Sequence, residues 1–498
     1  MHFIFSKEAS GAEVSDLIVY GAFEGRDLDR VLKLPLISLG GHLKEHAKDE
    51  GFSAKEGSCL IIHAHGKAPS RKICLLGLGS EKDFSLERLR RAAGTAVKIA
   101  GTAKTTRLAA SLPFGLVRTK TGVAIQAMLE GFMLADYGFE RYKTPDKDAK
   151  RLETITVHVR PIYGDAMLKQ ATERAMAMAD ATTFVRDLVN TPSLDMTPAH
   201  LVEEAGKIAG ASSGKIRLQI HDKKKLAEMG CGGILAVAQG SEQEPFMIHL
   251  SYKPKKARRR VVLVGKGVTF DSGGLSLKPA DSMMDMKIDM AGAAAILGVF
   301  KALPKLLPNV EIHGIAGLVE NMPSGRAIRP GDIVKTMSGK TIEILNTDAE
   351  GRVTLADTLH YGSKLKPDAM IDLATLTGAC MVALGQDFAG LMSNDATLTA
   401  RVKAAAETSG EQVWELPLPA SYAEQVKSKH ADLKNITGTR YGGAITAGLF
   451  LKEFVGQTPW AHLDIAGPAY AERDGAGYHA WGASGFGARL LLEYLLSM

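Results

Sequence analysis

The chain has 498 residues, 61 Lys and Arg against 55 Asp and Glu, and a formal net charge of +6. Its 45% hydrophobic and 23% charged content is that of a folded globular protein and excludes disorder, collagen-like repeats and coiled coil. Domains hold roughly 100–200 residues, so two or three folding units are expected.

The four cysteines, Cys59, Cys74, Cys231 and Cys380, lie in apolar segments without CxxC spacing. Reduced, buried thiols are expected, not a zinc knuckle or a disulfide framework. Met1 to Ser10 lacks the apolar core of a signal peptide. The longest apolar stretch, Met290 to Leu307, is broken by Lys301, Pro304 and Lys305 and is too short to span a bilayer. A cytoplasmic location without membrane attachment follows as the expectation.

In chain order, short apolar runs (Asp16 to Tyr20, Ser58 to His63, Ile73 to Leu78) alternate with helical patterns (Ser85 to Ala100, Gly122 to Leu134), the rhythm of an α/β unit. After the polar stretch Thr144 to Lys150 comes a strand-like Thr154 to Arg160, then a long amphipathic helix pattern from Asp165 to Leu188, which ends near Pro192. Beyond it, predicted strands (Val261 to Val264, Val310 to Leu318, Thr341 to Leu345, Met370 to Leu373) alternate with predicted helices (Asp289 to Leu303, Arg352 to Ser363). The expected fold class is α/β with two domains. A smaller N-terminal α/β domain (1–163) is joined by a linking helix (164–188) to a larger C-terminal α/β catalytic domain (189–498), whose mixed central sheet is flanked by helices.

Several motifs read better as structure than as sites. His42-Leu-Lys-Glu-His46 fits HxxEH, but it follows Gly40-Gly41 and is polar almost all round, as an exposed helix start is. Gly210-Ala-Ser-Ser-Gly214 fits GxSxG but follows a helix pattern where a nucleophile elbow needs a strand. Ser338-Gly-Lys-Thr341 lacks the first P-loop glycine, and Gly265-Lys-Gly267 has Phe270 where a dinucleotide fingerprint needs its third glycine. The basic run Lys253, Lys255, Lys256, Arg258, Arg259 and Arg260 reads as a solvated loop leading into a buried strand; the alternative is a nucleic-acid patch.

A denser set remains. Lys266 and Asp271 follow one predicted strand, Lys278 lies in the next loop, Asp281, Asp285 and Asp289 precede a helix, and Asn346-Thr-Asp-Ala-Glu-Gly-Arg352 follows another strand. Asp348 and Glu350, two apart on a turn leaving a strand, can reach one point above a sheet. Gly273, Gly274 and Gly351 permit close backbone approach. Hard carboxylate oxygens without a histidine suit divalent metals other than an ordinary mononuclear zinc, and the number of acids suits a pair of ions. Asp289 is placed to cap the Ala-rich helix that follows it.

Asn346-Thr-Asp-Ala-Glu-Gly-Arg352 and Val264-Gly-Lys-Gly-Val-Thr-Phe-Asp-Ser-Gly-Gly274 resemble the two metal-binding signatures of the leucyl aminopeptidase (cytosol aminopeptidase) family. The likeness continues through Met286-Lys-Ile-Asp-Met-Ala-Gly-Ala-Ala294, Asp372-Leu-Ala-Thr-Leu-Thr-Gly378 and His462-Leu-Asp-Ile-Ala-Gly467, and so covers nearly everything after Asn190. It implies a metallo-exopeptidase that removes N-terminal residues, preferably leucine or other apolar ones, from short peptides. By the same likeness two divalent ions, Mn²⁺ or Zn²⁺, are held by Lys266, Asp271, Asp289, Asp348 and Glu350, with Asp271 and Glu350 bridging. A metal-bridging hydroxide attacks, assisted by Lys278 and by a bicarbonate on Arg352, while Met286, Thr375 and Gly378 line the side-chain pocket. A neutral Lys266 amine and a homohexamer are also implied. The rival readings are a nucleic-acid-binding protein that keeps the fold and a two-metal phosphoesterase.

Overall fold

The computed structural model describes residues 1–8, 14–28, 40–66, 68–145 and 151–498, with the side chains of 40–44 left aside. The end of the polar stretch Thr144 to Lys150 and the His42 side chain fall outside the described residues. Two compact units are present, Met1–Ala179 with Arg473–Ala480, and Asp180–Glu472 with Trp481–Met498. The long helix Asp165–Asn190 runs from one range into the other.

The first unit holds a six-stranded sheet of β1 (His2–Ser6), β2 (Leu17–Ala22), β3 (Cys59–His63), β4 (Lys72–Gly77), β5 (Arg107–Ser111) and β6 (Thr154–His158) in the order β1-β6-β5-β2-β4-β3. All pairings are parallel except β3 with β4 at the edge. Helices Leu86–Thr102 and Thr121–Ala135 pack on each other, the first capped by Ser85, whose hydroxyl accepts from the Arg88 N–H. The core gathers Leu17, Val19, Leu76, Leu89, Phe132 and Ile155. The alternation of strand and helix was visible in the sequence. β1 and β5, short and flanked by charge, were not.

The second unit holds β7 (Ile216–His221), β8 (Phe246–Tyr252), β9 (Arg260–Asp271), β10 (Glu311–Asn321), β11 (Ile333–Lys335), β12 (Thr341–Glu343), β13 (Ala369–Ala374), β14 (Ala389–Ser393), β15 (Val413–Glu415), β16 (Leu433–Lys434) and β17 (Trp460–Asp464). Eight of these form a mixed sheet in the order β15-β14-β17-β13-β9-β10-β8-β7. β9, β10, β13 and β17 run parallel in its centre. Near-continuous apolar sequence suits strands covered on both faces, and β9 is buried along almost its whole length.

From β9 the chain crosses through the helix Ala291–Leu306 to β10 on one side, and later through Gly351–Ser363 to β13 on the other. The strand order therefore reverses between β9 and β13, and in open α/β sheets ligands bind beyond the carboxyl ends of strands at such a switch point. β11, β12 and β16 make a separate three-stranded sheet, so the predicted strand Thr341 to Leu345 is shorter than expected and lies outside the central sheet. Ser338-Gly-Lys-Thr341 is the turn of the β11–β12 hairpin, with Gly339 at φ +87°, and the Lys340 ammonium pairs with Glu453 at 2.6 Å.

Other minor motifs also take structural roles. Gly210 to Gly214 ends the helix Pro198–Ala211 through Ser213 at φ +52°. His46 is exposed on the helix Gly40–Asp49. The basic run is the β8–β9 loop, with Lys253, Lys255, Lys256, Arg258 and Arg259 exposed, and the first residue of β9; Lys253 and Arg260 both pair with Glu311, at 3.1 and 3.2 Å. Cys74, Cys231 and Cys380 are buried free thiols, whereas Cys59 is exposed, because its edge strand turns alternate residues to solvent. Among the described residues no helix is long and apolar enough to cross a membrane.

Beside Glu311 lies a buried histidine chain on β8 and β10. The Tyr361 hydroxyl is 3.0 Å from His249 Nδ1, His249 Nε2 is 2.8 Å from His313 Nδ1, and His313 Nε2 is 2.9 Å from Glu311. Burial, then His313, His221 and Lys253, hold His249 down at about 4. The unfolded chain, with an ordinary imidazole near 6.5, binds this proton more readily, so the folded state loses stability as pH falls from 6.5 towards 4. Thermal unfolding should show a loss of about 2 kcal/mol between pH 7 and 5 from this group. H249Q should flatten that part of the profile; an unchanged slope would contradict it.

Candidate metal centre

The C-terminal ends of the central strands deliver the charged groups. Lys266 lies within β9 and Asp271 closes it, so both are strand residues, whereas the sequence placed them after the strand. The predicted strand Val261 to Val264 was too short because Gly265, Lys266 and Gly267 interrupt the apolar pattern. Asp289 lies in the 3₁₀ turn Met286–Met290 ahead of the Ala-rich helix. It does not cap that helix: Met290 occupies the cap without a side-chain bond, because the Asp289 carboxylate is turned to Lys266 and Thr375. Asp348 and Glu350 sit on the turn between β12 and the helix Gly351–Ser363, with Glu350 at its N-cap.

These groups converge. Lys266 Nζ is 2.6 Å from Asp289, 2.8 Å from Glu350, and donates to the Thr375 carbonyl at 2.9 Å. Lys278 Nζ pairs with Asp271 at 3.0 Å and Asp348 at 2.5 Å. Oxygens of Asp271, Asp348 and Glu350 lie within 4.8 Å of one another. Lys266, Asp271, Asp289 and Glu350 are each 2–4% exposed. The clustered oxygens do not include those of Asp281 and Asp285.

Carboxylates packed this closely repel one another unless cations intervene. Burial, then Glu350, raises the Asp271 pKa in spite of Lys266 and Lys278. Burial raises Asp289 more strongly, against the pull of Lys266, and Asp348 is raised by burial as well. Burial alone would lower Lys266, but Asp289, Glu350 and Asp271 outweigh it, and its ammonium is held more tightly than an ordinary lysine. Asp289 Oδ2 is buried without a hydrogen-bond partner. The cluster is thus short of positive charge, and one hard oxygen of its acids is orphaned.

Backbone shape keeps the cluster tight. A Cβ at Gly351 would collide with the Lys266 side chain, and one at Gly273, which has φ +86°, would come within 2.9 Å of Asp348 Oδ1. Neighbours that the sequence reading passed over orient the acids. The Asn321 side-chain amide donates to Asp271 at 2.8 Å and to the Thr347 carbonyl at 3.1 Å. Thr347 and Ser276 exchange bonds, each backbone N–H donating to the other's hydroxyl, which ties the Lys278 loop to the acidic turn. Asn321 was signalled only by being a lone amide at the end of an apolar strand whose neighbour carries Asp271.

Arg352 begins the helix beyond Glu350; its Nη1 donates to the Asn435 carbonyl at 2.8 Å and its buried Nε has no hydrogen-bond partner. Burial draws its pKa down to about 10, opposed by Glu350 and Asp464, so it remains a guanidinium at neutral pH. Thr375, one residue past β13, donates its hydroxyl to Asp289 at 2.7 Å. Met286 opens the turn that carries Asp289, and the exposed Gly378 starts the helix Gly378–Leu384 three residues after Thr375.

Residues 183–492 match the sequence profile of the cytosol aminopeptidase family catalytic domain, and residues 19–146 that of its N-terminal domain. The chain belongs to the cytosol aminopeptidase family. It is 42% identical to a probable cytosol aminopeptidase of Persephonella marina, over 95% of this chain and 93% of the relative. A probable cytosol aminopeptidase of Trichormus variabilis is 45% identical, over 92% and 91%. A tomato leucine aminopeptidase variant superposes with a TM-score of 0.89 at 36% identity, covering 100% of this chain and 97% of that one. The bottromycin maturation enzyme BotP in complex with Mn superposes with a TM-score of 0.85 at 34% identity, covering 97% and 99%. This family member is accordingly a hydrolase, a metal-dependent aminopeptidase with a two-domain α/β architecture.

If Gly351 is kept small by Lys266, G351A should lower kcat/KM by about 10- to 100-fold while the far-ultraviolet circular dichroism is unchanged. Wild-type kinetics would show that the lysine has room to move aside.

Proposed function

We propose that this chain removes N-terminal residues from short peptides, preferring leucine and other apolar side chains, with two divalent ions held by Lys266, Asp271, Asp289, Asp348 and Glu350. The observation that carries the reading is the meeting of four carboxylates around Lys266 and Lys278, with Asp271, Asp289 and Glu350 buried and Asp348 half-buried, and with oxygens of Asp271, Asp348 and Glu350 within 4.8 Å of one another. The donor set fits the ions: hard oxygens, mostly buried, with an orphaned Asp289 Oδ2.

By the family likeness Asp271 and Glu350 would be shared by the two ions; Glu350 pairs with Lys266, and both acids neighbour Asp348. Two dications would reverse the balance at Lys266, because the charge that now retains its proton would be satisfied by the ions, leaving a neutral amine as ligand. Four carboxylates then offset two dications, and Lys278 and Arg352 supply the remaining positive charge. When bound, the ions would supply Lewis acidity toward the scissile carbonyl and its attacking water, and a fixed point for the free α-amine.

Released from the acids, Lys278 would donate from Nζ to the oxyanion that develops on the carbonyl. Arg352, with an unpartnered Nε at a helix N-terminus, fits a bicarbonate, which it would hold as a proton acceptor. Met286, Thr375 and Gly378 would line an apolar side-chain pocket. Mn²⁺ or Zn²⁺ as the metal, a homohexamer and a cytoplasmic location are proposed on the family likeness.

Three measurements test this. E350Q should lower leucine-p-nitroanilide hydrolysis in Mn²⁺ by at least about 100-fold, and chelation should abolish wild-type turnover. Near-normal activity in either would refute the metal assignment. Free leucyl dipeptides should be cleaved while their N-acetylated forms resist, and equal rates, or a preference for phosphoesters, would remove the amine-anchored exopeptidase reading.

A further inference from the structure

Asn435 is 1% exposed and lies just after β16, far in sequence from every residue of the acidic cluster. Its side chain spends all its hydrogen-bonding capacity on the turn that carries Asp348 and Glu350. Nδ2 donates to the carbonyls of Asn346, at 2.6 Å, and Ala349, at 3.4 Å. Oδ1 accepts from the backbone N–H groups of Leu345, at 2.8 Å, and Asn346, at 3.3 Å. A single planar amide thus bridges both ends of the segment 345–349, matching donor to carbonyl and acceptor to N–H. The Asn435 backbone carbonyl accepts from Arg352 Nη1 at 2.8 Å. Its backbone N–H donates to the Glu343 carbonyl at 3.1 Å, which fixes Asn435 to β12.

We infer that Asn435 is a positioning residue that couples the metal-binding turn to the anion-holding arginine, so that Asp348, Glu350 and Arg352 are set as one unit. The inference rests on the function proposed above and goes beyond it by assigning a residue outside the ligand and catalytic sets. Each end of this unit has another anchor, Ser276 with Thr347 on one side and Glu343 on the other, so the turn remains tethered when the amide is lost. What the amide adds is aim. A ligand held loosely binds its ion less tightly, and residues that orient ligands typically contribute about 10- to 100-fold in affinity.

The chemistry separates two variants. In N435D the oxygen that accepts from Leu345 and Asn346 is kept, while a second carboxylate oxygen faces the carbonyls of Asn346 and Ala349, so that side is lost. N435S is small enough for the same space, replaces the amide by a hydroxyl and adds no charge.

The test is calorimetric titration of Mn²⁺ into metal-free full-length wild type, N435D and N435S, with melting temperatures of the same samples and kcat and KM at saturating Mn²⁺. Expected for both variants is an Mn²⁺ affinity about 10-fold or more weaker, kcat reduced by a similar factor, KM within about two-fold, and a metal-free melting temperature within a few degrees of wild type. N435S decides the matter if N435D fails to fold. A lowered melting temperature with wild-type Mn²⁺ affinity and kcat would overturn the inference and make Asn435 a merely structural residue. Absence of Mn²⁺ binding in the wild type would instead overturn the reading of the site itself, and the inference with it.

Discussion

Four carboxylates brought together in a protein interior repel one another and forgo their hydration, and nothing about a fold favours that arrangement unless cations share the space. In this chain Lys266 and Lys278 share it, each pairing with two acids. Two ammonium groups against four acids leave the cluster deficient in positive charge, and burial and mutual repulsion raise Asp271, Asp289 and Asp348 in spite of the lysines. Divalent ions, which we propose this site holds, would remove that deficit.

The rest of the catalytic unit can be understood as scaffolding for that cluster. Parallel β9, β10 and β13 put Asp271, Asn321 and Thr375 at one edge of the sheet, where the strand order reverses. Helices whose first turns carry charge bring Asp289, Glu350 and Arg352 to the same edge. Behind them lies a fully buried polar layer, in which Asp372 on β13 accepts from Trp460 and pairs with His462, both on β17, at 2.6 Å each. Asp464, closing β17, accepts the Thr377 hydroxyl at 2.7 Å and the backbone N–H groups of Leu376 and Thr377, and so fixes the loop that presents Thr375. Hydrogen bonds among these buried groups stiffen the support of the charged site, although His462 Nε2 is buried without a hydrogen-bond partner.

Much of this was legible in the sequence. The α/β alternation, the long helix from Asp165 and the two signatures carrying Lys266, Asp271, Asp348, Glu350 and Arg352 are local patterns, written in consecutive residues. The parts that were not legible depend on groups distant in the chain. Lys266 was placed outside its strand because the glycines beside it look like a loop, although they are what lets β9 lie against the helix at Gly292. Asp289 was read as a cap because a carboxylate before a helix usually is one, and only the fold shows that Lys266 and Thr375 claim it. The strand before Asp348 was assigned to the central sheet, since nothing in Thr341 to Leu345 records that its partners are β11 and β16. Asn321 and Asn435 are single amides with no motif around them, visible only once the turns they hold are in place.

The central claim is that this acidic cluster exists to hold two ions. Anomalous diffraction from crystals of the full-length chain grown with Mn²⁺ addresses it directly. Two strong peaks should appear among Asp271, Asp289, Asp348 and Glu350, with Lys278 moved off the acids. A featureless anomalous map there, with both lysines still paired to the same carboxylates, would contradict the account.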